Sequence, residues 1–357
     1  MERTRIYPIL QAVLAAVLFG ASTPFAKLLL GSVHPLALAG LLYLGSGIGS
    51  ALLMLARRLM RQRDQAEAPL TRSDLPWLFG AVAAGGVAAP ITLMLSLKVT
   101  AAATASLLLN FEGVATVLIA VWFLREAVGR RVWAAAACVT VAGALLSVDL
   151  SGRWGISPGA IGVVVACIFW GIDNNLTRNI SAKDPLQIVA AKGLSAGLFS
   201  LSLATVIGQR LPTLGSAVTA MLLGFVSYGA SIMLFVLALR GLGAARTSSY
   251  FGAAPFIGAM LSFVLFRMLP NAFFALSIPF MVVGVALLLT EEHAHAHQHL
   301  AIEHEHRHRH DGLHHAHSHE EEVRAEEIHS HRHRHEGNRH SHPHAPDIHH
   351  RHEHESP

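Results

Sequence analysis

The sequence predicts an all-α integral membrane protein of ten transmembrane helices, built as two inverted-topology repeats of five. Three observations predict it: the apolar content of the first 290 residues, their division into ten membrane-length stretches, and a recurrence of features between halves. Of 357 residues, 52% are hydrophobic and 14% charged, against about 25% charged in an average soluble protein. Residues 1–290 carry 20 Lys/Arg and 9 Asp/Glu, whereas residues 291–357 carry 7 Arg, 14 Asp/Glu and 23 of the 24 His. The first part is therefore +11 and the tail −7 with His neutral. So apolar a stretch cannot hide from water in one core, which excludes a soluble enzyme. Its basic residues lie in the connections between apolar stretches and do not indicate nucleic acid. Cys138 and Cys167 both sit inside apolar runs and suggest neither a disulfide framework nor a metal knuckle.

A hydrocarbon core about 30 Å thick needs about 20 apolar residues per helix. Ten stretches meet this, at 7–30, 36–56, 75–97, 101–123, 131–148, 158–176, 186–207, 215–239, 245–266 and 271–290. Short connections rich in charge, Gly and Pro separate them. The first stretch is too long for the apolar region of a signal peptide and lacks a clear cleavage site, so it reads as a span. With the N-terminus inside, the cytoplasmic connections receive 14 Lys/Arg and the opposite ones 4. This asymmetry places both termini, and the His-rich tail, in the cytoplasm of a multi-pass inner or plasma membrane protein.

The halves repeat. Phe19-Gly20 aligns with Trp170-Gly171, and Lys27 with Arg178, at one offset of 151. Thr104-Ala105-Ser106 aligns with Thr247-Ser248-Ser249 at an offset of 143. Each half closes on a small-residue helix, Val139–Leu146 or Met281–Leu288, with a central Gly143 or Gly284. Five spans is an odd number, so the halves run oppositely through the membrane, a plan suited to secondary transport from a midplane site. Three regions follow: 1–150, 151–290 and the tail 291–357.

Thr100–Leu146 (TAAATASLLLNFEGVATVLIAVWFLREAVGRRVWAAAACVTVAGALL) resembles the fourth and fifth helices of EamA-type permeases of the drug/metabolite transporter superfamily. Phe169–Arg178 (FWGIDNNLTR) is similar to a sub-branch of them. The resemblance spans about residues 7–290 and implies a ten-helix carrier that exports a small metabolite or drug. Two positions depart from the pattern. Glu112 stands where most of the superfamily has an apolar residue or Pro, and Arg267-Met268 replaces the Arg125-Glu126 of the first half.

Charge at bilayer depth costs roughly 2.5–3.5 kcal/mol, so ionisable residues inside spans are the first candidates. Glu112 lies 11 residues into its span, about 16 Å deep. It shares its helix with Asn110 and Thr116, and the repeat sets Pro255 opposite it. Such a carboxylate serves a proton or a substrate amine, or else it locks two helices together. Lys192, about 9–10 Å inside span seven, either snorkels or faces the site as a partner of Glu112 or Asp173. Asp173, Asn174 and Asn175 close span six, either as a cap or as a substrate contact. These six residues, Glu112, Lys192, Asp173, Asn174, Asn175 and Asn110, form the candidate substrate or coupling set. Lys27 is expected to snorkel. Arg125 and Glu126 are expected to hold a loop, Arg246 to signal the cytoplasmic side, and Tyr250 to mark the interface. Thr104 and Tyr228 either line a cavity or bond between helices.

From His293 to His354 there are 23 His, many in alternation: His293, His295, His297 and His299; His304, His306, His308 and His310; His329, His331, His333 and His335. With almost no apolar residues among them, the tail is expected to be disordered. It is also expected to bind Zn, Ni or Co loosely. Protonating every tail His would move its charge from −7 to +16, so a pH response is a competing reading, and a solubilising tail with no role is a third. Two functions stay open: an organic-solute carrier whose tail buffers or senses metal, and a metal or metal-chelate exporter fed by the tail. No nucleotide loop, nucleophile triad or catalytic metal motif appears, so neither catalysis nor a required cofactor is expected. The expected partners are lipid, a small-molecule substrate and divalent metal ions.

Overall fold

A computed structural model describes residues 3–59, 68–124, 129–149, 156–181, 183–242 and 244–289, with four tail segments as backbone. Ten of its helices are long and apolar enough to cross a membrane: Ile6–Leu29, Pro35–Leu59, Arg72–Val99, Ala102–Phe123, Arg130–Ser147, Pro158–Ile180, Pro185–Val206, Leu214–Leu239, Arg246–Phe266 and Ala272–Leu289. These are spans one to ten. They match the ten predicted stretches to within a few residues at every boundary. Arg61, Arg63, Arg125, Glu126 and Arg153 lie outside the described residues.

Helix–helix contacts carry the repeat. Spans two and seven share the most extensive contact, and spans five and ten, then four and nine, also pair. Span one packs on span eight, and span three on span six. Exchanging each span with its counterpart five places on turns these contacts into one another, which is the signature of two inverted repeats. The two–seven crossing depends on missing side chains. A Cβ on Gly193 would lie 2.6 Å from the Gly47 backbone, so the two helices meet backbone to backbone.

Several spans are not regular helices, and the breaks sit at repeat-equivalent positions. Span three contains a π-helical stretch, Val82–Ala88, and span eight another, Phe225–Ala230. Span nine breaks between Phe251 and Ala254, just before Pro255, as the proline foretells. Span four breaks as well, at Leu109–Asn110, although no Pro or Gly stands there. The carbonyls freed at this second break find partners. The Asn110 amide donates to Leu107 O at 3.0 Å, and the Cys167 thiol reaches Leu108 O at 3.6 Å. Glu112 therefore sits in the first turn of a new helix, Phe111–Leu124, where the helix dipole favours negative charge.

In the tail, 293–298 pairs antiparallel with 339–344, and 302–308 with 329–335. A two-stranded ribbon alone is marginal in water. These pairings do not test the expectation that the tail is disordered, and the side chains of the His expected to bind metal lie outside the described residues.

Candidate functional site

Between the halves lies a cavity of about 570 Å³, within the size range of small-molecule sites. Its lining runs from Glu112, Tyr43 and Leu109 at mid-depth to Ser181 and Pro185, in the connection of spans six and seven. That connection lies on the same face as the N-terminus, so the cavity extends toward this face.

Two polar clusters mark the wall. In the first, Lys192 Nζ lies 2.5 Å from Asp173 Oδ1 and 2.7 Å from Oδ2. Thr177 Oγ1 donates to Asp173 Oδ1 at 2.9 Å. The pair is well enclosed, with side chains 16% and 7% exposed. Gly85, in the π-helical stretch of span three, makes room for it, because a Cβ there would strike Asp173 Oδ2. In the second cluster, the Asn174 amide donates to Glu112 Oε1 at 2.9 Å and to Thr116 Oγ1 at 3.1 Å. Thr116 Oγ1 in turn donates to Glu112 O at 2.8 Å. Among the described residues, no cation pairs with Glu112.

The predicted set is thus split. Glu112, Asp173, Asn174 and Lys192 line one cavity. Of the two partners open to Lys192, the structure selects Asp173. Asn110 and Asn175 do not line it. Asn110 serves the break in span four, and the Asn175 amide donates to Thr116 O at 3.0 Å and Gly171 O at 2.8 Å, joining spans four and six. Nor do the three polar residues of span six end their helix. It continues through Thr177, and the Arg178 N–H donates to Asn174 O. Tyr228 lines the cavity, whereas Thr104 lines a smaller one of about 190 Å³ on the opposite face.

The half-exposed Lys27 caps the end of span three. Its ammonium donates to Leu97 O at 2.6 Å, Lys98 O at 3.0 Å and Thr100 O at 3.1 Å. The chain turns extended at Thr100, so these carbonyls at the end of span three lack helical donors. A cation is favoured at that pole of the dipole. One turn before it, Thr23 lines the cavity, so the clasp lies on the side away from the connection of spans six and seven.

Residue-by-residue reading missed the aromatic wall. Tyr43 OH donates to Gly85 O at 2.6 Å, and Trp170 Nε1 donates to the same oxygen at 3.1 Å. In a π-helix this carbonyl would receive the N–H five residues on, but that residue is Pro90, which has none. The proline was the available signal. Rings then follow in sequence: Tyr43 to Tyr228 at 5.9 Å, Tyr228 to Phe19 at 5.9 Å, Phe19 to Phe251 at 5.2 Å and Phe251 to Phe235 at 4.9 Å.

Comparison with known proteins agrees with this architecture. An uncharacterized transporter of Methanothermobacter thermautotrophicus is 25% identical over 276 residues, covering 74% of this chain and 80% of its own. A protein of known crystal structure, 19% identical, shares the fold at a TM-score of 0.55, covering 78% of this chain and 94% of its own. Residues 6–148 and 157–290, one stretch in each half, match the EamA-like transporter family. The chain belongs to the EamA-like transporter family and is a multi-pass membrane transporter.

Proposed function

We propose that this transporter is a secondary carrier that exports a small organic metabolite or drug-like solute across the inner or plasma membrane. Glu112 is its coupling carboxylate, and the His-rich tail buffers or senses metal. The observation that carries the reading is the contrast between two acids of one cavity. Asp173 is neutralised by Lys192, whereas among the described residues the Glu112 carboxylate has only the neutral amide of Asn174. A carboxylate so placed can take up a proton or a cation and release it when the halves rock about it. The positive-inside asymmetry sets both termini in the cytoplasm, which makes the cavity mouth cytoplasmic. Reporters fused after Arg72 and at the C-terminus should then both read cytoplasm.

The His-rich tail favours a second reading, export of a divalent metal or its chelate. The cavity offers that ion little. Among the described residues its lining contributes two acids, one already paired, and neither His nor Cys. Purified full-length protein in liposomes separates the two. Solute accumulation that needs a pH gradient, and is unchanged by Zn, Ni or Co in the lumen, supports the organic carrier. Gradient-driven movement of the metal itself, surviving removal of organic solutes, overturns it.

A further inference from the structure

We infer that the transported solute is an amphipathic monocation: one amine or quaternary ammonium group on an apolar, ring-sized body. This rests on the central cavity being the transport site, and it names the chemistry that the site selects.

The charge pattern comes first. Among the described residues, three with a formal charge line the cavity, Glu112, Asp173 and Lys192. The last two satisfy each other, and Thr177 is spent on the pair. With all three ionised, the wall carries one net negative charge, and it resides on Glu112. An anion entering this space meets a carboxylate and, among the described residues, no uncommitted cation. A divalent metal finds one uncommitted acid where several hard or imidazole ligands are needed. A single positive group on the solute matches the wall's charge.

The apolar pattern comes second. Tyr43, Tyr228, Phe19, Phe251 and Phe235 form an unbroken run of ring contacts, and all five line the cavity. Tyr43 and Trp170 both spend their polar tips on Gly85 O. Asn174, likewise, spends its amide on Glu112 and Thr116. Aromatic rings attract a cation and accept its apolar body, and these rings line the same cavity as Glu112.

The test uses full-length protein in lipid nanodiscs and three probes of similar size: benzyltrimethylammonium, 2-phenylethanesulfonate and benzyl alcohol. Binding is read by calorimetry. The cation should bind about tenfold or more tighter than the anion. Glu112→Gln should weaken the cation by about tenfold and leave the alcohol unchanged, while Glu112→Asp, which keeps the charge, should retain most of the affinity. Phe251→Leu should weaken the cation more than the alcohol. The inference is overturned if the anion binds as tightly as the cation, if the cation does not bind, or if Glu112→Gln binds it as wild type does. Gradient-driven transport by Glu112→Gln, measured separately, reports on coupling. That result can stand while the substrate class falls, and the reverse.

Discussion

Removing Lys192 should expose what the Asp173 pair contributes to the fold. Both carboxylate oxygens lie within 2.7 Å of the ammonium, and the side chains are only 16% and 7% exposed. Lys192→Met leaves an aspartate enclosed by span three with a single hydroxyl donor, Thr177. Breaking a buried pair by removing one partner costs about 3–5 kcal/mol. The pair borders a cavity, so the lower end applies, about 3 kcal/mol. At roughly 2 °C per kcal/mol for a chain of this size, Tm should fall by about 6 °C. Asp173→Asn should cost less, because the freed ammonium can turn toward cavity water. The double variant Asp173→Asn/Lys192→Met removes both charges and should recover to within about 1 kcal/mol of wild type. Thermal unfolding in detergent, followed by helical circular dichroism, measures all four proteins of the cycle. A double variant whose loss equals the sum of the singles would refute the coupling argued from these distances.

Three further outcomes follow from other parts of the molecule. Lys27→Met leaves three carbonyls at the end of span three unpaired. It should cost about 1 kcal/mol at this half-exposed position, and should raise thiol labelling of Thr23→Cys from the face opposite the mouth. Gly193→Ala forces a methyl against the Gly47 backbone and should destabilise by about 1–3 kcal/mol, whereas Gly215→Ala, with nothing within 4 Å, should be neutral. Truncation after Glu292 should abolish Ni or Zn binding by calorimetry and leave transport of a metal-free solute intact.

How much of this was legible in the sequence follows from the range of each interaction. The spans were legible because membrane thickness dictates the length of each apolar run. The break before Pro255 was legible from one residue. Its counterpart at Leu109–Asn110 was not, because the stretch Leu107–Phe111 has no breaker, and the partner of Leu108 O is Cys167, 59 residues away. Lys27 read as a snorkelling lysine for the same reason: its carbonyls lie 70 to 73 residues on, at a turn that apolar runs alone do not place. Bilayer depth singled out Glu112 and Lys192, and the repeat showed Asp173 where the other half has Ser22. Which charge met which required the helix crossing itself.

The role given to Glu112 has one most direct measurement. Glu112→Gln keeps the side chain's shape and its hydrogen bond to Asn174, but cannot hold a negative charge. In liposomes with an imposed pH gradient, the variant should insert and fold yet fail to accumulate solute, while still exchanging it down its own gradient. Normal gradient-driven accumulation by Glu112→Gln would contradict the account and make Glu112 a structural lock between spans four and six.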